Sequence, residues 1–262
     1  MQAQVDGVRL NYRLVGEGPV LAFAHSLGMD LTQWEQQERY FQGRYRVLSY
    51  DARGHGASDK PPGPYSIEQF GEDFYGLLRA LGIGRAVAIG MSMGGMAAQA
   101  LAVAHPDAVA ALVLLDTTCW YLEDGPQQWE ARAKAAQEQG LSSLIDFQLQ
   151  RWFSDRTRAE NPGLVERAKQ VFLANDVAAY AASCRALGAL DLRGKVESIR
   201  CPTLIVVGEE DYATPVSMSE DLHRRIPNSE LVVLPGVRHL SAMETAGPVN
   251  AQIERFLQRI GW

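Results

Sequence analysis

Ala86-Val-Ala-Ile-Gly-Met-Ser92-Met-Gly-Gly-Met-Ala-Ala-Gln-Ala-Leu-Ala102 is the stretch that decides the fold. A short apolar run that is typical of a buried strand leads into it, and a series of helix-forming residues leads out. Ser92 lies at the bend between them, with Gly90 and Gly94 two positions to either side. A sharp strand-to-helix turn brings the two elements so close that side chains at those positions would clash, and glycine removes the clash. The stretch therefore predicts a strand, a tight turn at Ser92 and a helix.

Similar apolar runs recur on both sides of this turn. They are Val20–Ala24, Val47–Tyr50, Ala86–Ile89, Ala110–Leu115, Thr203–Val207 and Leu231–Leu234. Nearly continuous apolar strands indicate a sheet that is covered on both faces, which is the parallel type. Helical patterns separate these runs, so we expect a doubly wound, mostly parallel α/β sheet. Arg9–Val15 alternates apolar and polar residues instead, which predicts an antiparallel edge strand.

The interval between Thr117 and Ser198 contains helix signals and no strand signal. The helix signals are Pro126 with Gly140, Asn161 before Pro162, Asp176 as a helix cap, and the apolar face of Leu144–Phe153. We interpret residues 117–198 as a helical cap that is inserted after the sixth strand. Residues 1–116 and 199–262 would then form the core domain.

Composition and charge restrict the partners. The net charge of −6 provides no basic surface for nucleic acid or an anionic membrane, so we expect a small-molecule partner. The N-terminal residues lack the features of a signal peptide, and no stretch has the roughly 18 apolar residues of a membrane span. The cysteines, Cys119, Cys184 and Cys201, are odd in number and lack metal-ligand spacing. They suit reduced thiols in the cytoplasm.

Ser92 is the candidate nucleophile, and a serine hydroxyl needs a histidine base within hydrogen-bond reach. The histidines are His25, His55, His105, His223 and His239. In enzymes that carry such a turn on a parallel sheet, the order along the chain is serine, then acid, then histidine. Only His223 and His239 lie far enough toward the C-terminus to fit this order. His223 lies beside two arginines on an exposed helix, whereas His239 follows a strand end, where sites on these sheets collect. We therefore predict His239 as the base.

Two aspartates that follow strands could orient this histidine. Asp211 follows the strand that ends at Val207, and Asp116 follows Leu115 directly. We favour Asp211 and keep Asp116 as the alternative, which could instead make a polar contact at the hinge of the cap. Glu210 is adjacent to Asp211 and is therefore a further alternative, although a weaker one.

Catalysis at a serine also needs N–H donors for the oxygen that becomes negative in the transition state. Met93 is predicted to be the first residue of the helix, so its backbone N–H is one candidate donor. The second should come from the turn His25–Gly28 after the first parallel strand, and Leu27 is the expected donor.

At these residues the chain resembles the α/β-hydrolase superfamily, and within it the 3-oxoadipate enol-lactonases. The resemblance runs nearly end to end. It includes His25–Trp34, Tyr50–Ser58, Tyr65–Gln69, Gly90–Gly95, Arg151–Phe153, Asp191–Arg193, Cys201–Gly208 and His239–Ser241. Where this family often has Asn before its Ser-Leu-Gly loop, the chain has His25, and this change bears on the shape of the binding pocket.

The resemblance implies a serine hydrolase that opens a lactone ring through an acyl-enzyme, without a metal or cofactor. The free carboxylate of such a substrate would need a cation. Arg132, three residues after Trp129 on a cap helix, is similar to a family pairing, although it could equally be a solvated arginine. Trp120 and Trp152 either line the pocket or pack the cap. The candidate substrate-binding residues are thus His25, Trp120, Trp129, Arg132 and Trp152.

Other functions fit part of the same pattern. A carboxylesterase that acts on other small esters or lactones would use the same three residues, as would carbon–carbon bond hydrolases and perhydrolases. Some proteins with this fold retain the three residues and act as ligand sensors that bind a protein partner. The sequence does not specify the oligomeric state.

Overall fold

A computed structural model describes all residues from 1 to 262. Eight strands form one sheet in the order β1-β2-β4-β3-β5-β6-β7-β8. The strands are β1 (Gln2–Val5), β2 (Val8–Val15), β3 (Val20–Ala24), β4 (Arg46–Tyr50), β5 (Ala86–Met91), β6 (Val109–Leu115), β7 (Thr203–Gly208) and β8 (Ser229–Leu234). The pairs from β4 to β8 are parallel, so the predicted doubly wound sheet is confirmed.

The N-terminal edge of the sheet differs from the prediction. Strand β2 is antiparallel, as its alternating pattern predicts, but it lies between β4 and the additional strand β1. The edge position predicted for Arg9–Val15 is therefore wrong. Gln2–Val5 forms the edge because a turn at Asp6 and Gly7, both with positive φ, folds the chain into a hairpin.

Every residue of β3, β5, β6 and β7 is buried, because helices cover both faces of the sheet. The helices outside residues 117–198 are α1 (Glu35–Phe41), α2 (Ile67–Ala80), α3 (Met93–Ala104), α10 (Val216–Arg225), α11 (Ser241–Glu244) and α12 (Ala246–Ile260). No helix in the structure has the length and apolar character needed to cross a bilayer.

Six further helices connect β6 to β7. They are α4 (Gly125–Gln139), α5 (Ile145–Trp152), α6 (Asp155–Glu160), α7 (Pro162–Leu173), α8 (Val177–Gly188) and α9 (Arg193–Val196). The polar residues before them act locally. Asn161 accepts a hydrogen bond from the N–H of Leu164, and Asp176 accepts one from Ala179, so each caps the helix that follows. The division into a core and a cap at residues 117–198 stays a proposal.

The strand order positions the site. From β3 the chain continues to β4 on one side, and later reaches β5 on the other side of β3. Where strand order reverses in this way, the loops that follow the two central strands border a crevice at the carboxyl edge of the sheet. Here those loops are the turn that follows Ala24 and the bend at Ser92.

Candidate active site

Ser92 occupies a strained bend between β5 and α3. Its φ of 53° and ψ of −118° are unusual for a residue with a side chain. The packing around the bend requires glycine. A Cβ atom on Gly90 would lie 2.2 Å from the carbonyl oxygen of Gly94, and one on Gly94 would lie 2.1 Å from the carbonyl oxygen of Ala24. The bend therefore holds the hydroxyl at the carboxyl edge of the sheet.

The structure brings Ser92, His239 and Asp211 together. His239 Nε2 lies 3.0 Å from Ser92 Oγ, and His239 Nδ1 lies 2.8 Å from Asp211 Oδ2. All three residues are buried. Since an ionised aspartate can only accept, Nδ1 carries the proton and Nε2 is free to accept the proton of the serine hydroxyl.

Asp211 is held as an ionised acceptor by its own loop. The N–H groups of Ala213 and Thr214 donate to Oδ1 at 2.7 and 2.9 Å, and the Thr214 hydroxyl donates to Oδ2 at 2.8 Å. Burial alone would raise the pKa of Asp211, but the charge of His239 and the hydrogen bonds from His239 and Thr214 lower it below its usual value. Thr214 was not among the predicted site residues, although its place three positions after Asp211 is a recognisable turn signal.

The alternative acids lie elsewhere. Asp116 accepts hydrogen bonds from the N–H of Gly208, at 2.9 Å, and from the hydroxyl of Ser241, and it makes no hydrogen bond with His239. Burial, and then the charge of Asp211, raise its pKa well above the usual carboxyl value. Glu210 is exposed to solvent in part and lies 3.4 Å from the Nε of Arg238. Of the three candidate acids, only Asp211 is hydrogen-bonded to the imidazole.

Two backbone N–H groups are available beside Ser92. Leu27 borders the same cavity as Ser92, and its N–H donates to no acceptor of the protein. Met93 begins α3, so its N–H has no acceptor within the helix. Gln33, which the sequence analysis did not identify, holds the turn in place by accepting a hydrogen bond from the N–H of Ser26 at 3.0 Å.

His25 does not reach the cavity, contrary to its prediction as a substrate-binding residue. Its ring is buried beneath the turn, where Nε2 accepts from the N–H of Ala52 at 2.9 Å and Nδ1 donates to the carbonyl oxygen of Ser26 at 2.8 Å. Both ring nitrogens are therefore occupied by backbone groups. His25 supports the loop that carries Leu27.

The helices after β6 close the cavity over Ser92. The space that remains beside Ser92 is small, about 20 Å³, and its walls include three predicted residues, Trp129, Arg132 and Trp152. Trp120 does not border this space, and its ring instead contacts the Arg193 guanidinium, which lies 3.9 Å from the ring centre. The prediction that Trp120 contacts the substrate is therefore not supported by the geometry.

A second arginine borders the cavity. Arg151 is not among the predicted substrate-binding residues, although it belongs to the segment Arg151–Phe153 that carries the family resemblance. Its side chain faces the same space as Arg132 and His239. The Arg132 guanidinium lies 4.4 Å from the centre of the Trp129 ring, and the Arg151 guanidinium lies 4.8 Å from that of Phe147. Neither arginine is among the residues that form salt bridges with carboxylates.

The electrostatics of this pair follow from its position. Burial, and next the charge of Arg132, lower the pKa of Arg151 to about 10. Arg151 therefore remains a cation at neutral pH, but it is a cation that lacks both full hydration and a counter-ion. An anion at this position would relieve both costs.

The geometry suits nucleophilic catalysis on an acyl group. A serine activated by an oriented histidine, with N–H donors beside it, can attack a carbonyl carbon and stabilise the resulting oxyanion. No group of three or more His, Cys, Asp or Glu side chains is arranged to hold a metal ion.

The fold and the site define the class of the protein. The chain belongs to the α/β hydrolase fold family, whose sequence model matches residues 19–246.

Within this family the chain is similar to particular enzymes. It is 37% identical to 3-oxoadipate enol-lactonase 2 of Acinetobacter baylyi, over 96% of this chain and 94% of that protein. The crystal structure of the enol-lactonase from Burkholderia xenovorans superimposes with a TM-score of 0.95 at 35% identity, covering 98% of this chain and all of that one. A thermophilic esterase from Thermogutta terrifontis, solved with malate bound, gives a TM-score of 0.93 at 27% identity, covering 99% and 98% of the two chains.

Proposed function

We propose that this protein is a serine hydrolase that opens a small lactone bearing a carboxylate, of the 3-oxoadipate enol-lactone type, through an acyl-enzyme. The observation that carries this substrate class is the pair Arg132 and Arg151, two cations without counter-ions in the cavity that contains Ser92. The similarity to enol-lactonases over nearly the whole chain supports the same conclusion.

The reaction proceeds in two steps. Ser92 Oγ attacks the lactone carbonyl carbon while His239 Nε2 takes the hydroxyl proton, and Asp211 stabilises the imidazolium. The N–H groups of Leu27 and Met93 donate to the oxygen that becomes negative. The ring C–O bond then breaks, and the enolate oxygen leaves while still tethered through the acyl chain. The enolate takes up the proton that His239 Nε2 holds, which returns the imidazole to its neutral form, and the enol then becomes a ketone.

Water completes the reaction. His239 removes a proton from a water molecule, which attacks the acyl carbon, and the ester bond to Ser92 breaks as the serine oxygen recovers its proton. The product is a 3-oxo diacid. Because an enolate is a good leaving group, the first step needs less acid assistance than the cleavage of an amide.

The two parts of the chain have different tasks in this proposal. The core, residues 1–116 and 199–262, supplies Ser92, Asp211 and His239. The cap, residues 117–198, supplies the arginines and the indoles of Trp129 and Trp152. The guanidinium groups bind the substrate carboxylate, which fixes the orientation of the ring so that its carbonyl carbon faces Ser92. A cytoplasmic location stays a prediction that follows from the reduced cysteines.

Hydrolysis of other small esters is the second candidate, and the likeness to the Thermogutta terrifontis esterase favours it. Steady-state rates separate the two. We expect kcat/KM on a carboxylate-bearing enol-lactone to exceed that on a neutral aryl acetate of similar size. Preference for the aryl acetate by a wide margin would replace the lactonase proposal with the esterase.

A further inference from the structure

The loop that carries His239 is bonded directly to the end of a helix after β6. Helix α5 ends at Trp152. The last carbonyl groups of a helix have no N–H donor within the helix and must find one elsewhere. Here the loop supplies their donors. The N–H of His239 donates to the carbonyl oxygen of Arg151 at 3.3 Å, and the N–H of Leu240 donates to that of Trp152 at 3.1 Å.

Arg238 strengthens this connection. Although it is an arginine, it is only 8% exposed. Its Nη1 donates to the carbonyl oxygens of Gln150 and Phe153 at 2.9 and 3.0 Å, and Asp155 lies 3.0 Å from the same nitrogen. A guanidinium at the carboxyl end of a helix also interacts favourably with the helix dipole. These bonds are shorter than that of the His239 N–H, so Arg238 makes the firmer attachment.

Glu244 bridges the same two segments from the other side. One carboxylate oxygen accepts from the N–H of Ser154 at 2.9 Å, and the other accepts from the N–H of Arg238 at 2.9 Å. Both oxygens must therefore be acceptors. An amide side chain of the same length would turn its NH2 group toward one of the two N–H donors.

The segment that is bonded in this way contributes Arg151 and Trp152 to the cavity wall, and the loop contributes His239. We infer that Arg238 and Glu244 are positioning residues, which make the proton-accepting histidine and the anion-binding end of α5 one rigid unit. This inference rests on the proposed function. Its consequence is that an anion bound by Arg151 meets a base that is already placed for proton transfer.

The test compares variants of Arg238 in two reactions. Phosphonylation of Ser92 by a neutral fluorophosphonate reports the position of His239 without using an anionic group, whereas turnover of the carboxylate-bearing lactone depends on both His239 and Arg151. In Arg238→Met we expect phosphonylation to slow about 10-fold and kcat/KM on the lactone to fall about 100-fold, because small displacements of reacting groups cost this much. Arg238→Lys should recover part of both, because its ammonium group can still donate to a carbonyl oxygen.

Introducing Arg238→Met into a protein that already carries Arg151→Met distinguishes positioning from general destabilisation. With Arg151→Met already present, Arg238→Met should lower kcat/KM on the lactone only about 10-fold, since the anion contact is already lost. The matched control is Arg156→Met, an exposed arginine of the same region without a side-chain hydrogen bond, which should leave both reactions unchanged. Equal losses in the two backgrounds, or an unchanged rate of phosphonylation, would overturn the inference.

Glu244→Gln provides a second variant if Arg238→Met fails to fold. It should slow phosphonylation as well, by a smaller factor, and unchanged phosphonylation in this variant would also overturn the inference. Failure of the proposed function has a different signature. If the wild-type enzyme prefers neutral esters, phosphonylation still reports whether Arg238 and Glu244 position His239.

Discussion

Nδ1 of His239 lies 2.8 Å from Oδ2 of Asp211, while Asp116 makes its hydrogen bonds with Gly208 and Ser241 instead. This relationship predicts which aspartate supports catalysis. Asp211→Asn should lower kcat about 10⁴-fold, because an amide favours the wrong tautomer of the histidine. Asp116→Asn should lower it about 10-fold or less, through a small displacement of the same loops. A larger loss for Asp116→Asn, measured under saturating substrate, would reverse the assignment.

The buried carboxyl group of Asp116 predicts a dependence of stability on pH. Its pKa is raised in the folded protein, by burial first and by the charge of Asp211 next, so the protonated form is favoured there. The unfolded chain ionises at the usual carboxyl pKa, and folding therefore loses free energy as the pH rises above that value. Asp116→Asn removes this titration.

Urea unfolding of the wild type and Asp116→Asn at pH 5 and pH 8 measures the effect. From pH 5 to pH 8, the free energy of unfolding of the wild type should decrease relative to that of the variant. A difference that does not change with pH would show that the carboxyl group does not titrate in this way.

The tight packing at the Ser92 bend predicts that one added methyl group, at Gly94, severely lowers stability and activity. Gly94→Ala places a Cβ atom 2.1 Å from the carbonyl oxygen of Ala24, and neither backbone can move without displacing the other element. We expect the free energy of unfolding to fall by roughly 3 kcal/mol or more, with loss of activity in the folded fraction. Gly247→Ala is the control, since nothing lies within 4 Å of that position. Near-normal activity in Gly94→Ala would contradict the strained bend.

The two cavity arginines predict a change in KM that depends on the charge of the substrate. Arg132→Met and Arg151→Met should each raise KM for the carboxylate-bearing lactone about 10- to 100-fold, the amount expected when a hydrogen bond to a charged group is lost. KM for a neutral aryl acetate should hardly change, and neither should change in Arg167→Met, an exposed arginine on α7. Equal increases for both substrates would argue against a carboxylate contact.

Features that depend on a few neighbouring residues could be predicted from the sequence. Asp176 accepts a hydrogen bond from the N–H of Ala179 at the start of α8, as the sequence predicts, because a helix cap involves only residues close together in the chain. The bend at Ser92 is local in the same sense. The contact between Ser92 and His239 could be expected from a rule of chain order and strand ends, although the two are far apart in sequence.

Features that depend on how distant helices face the sheet could not be predicted. Trp120 and Trp152 carry the same side chain in the same region, yet only Trp152 borders the cavity. Arg151 adjoins Trp152 in the sequence, and its role depends on the orientation of α5 above Ser92. Gln2–Val5 becomes a strand because β2 pairs with it, since its own four residues are too few to show a strand pattern by themselves.

Intact-mass measurement after incubation with a fluorophosphonate tests the role of Ser92 most directly. The account predicts one adduct on the wild-type protein, none on Ser92→Ala, and turnover of the lactone by that variant lower by roughly 10⁴- to 10⁶-fold. An unmodified wild-type protein, or an adduct of the same mass that persists in Ser92→Ala, would contradict the account.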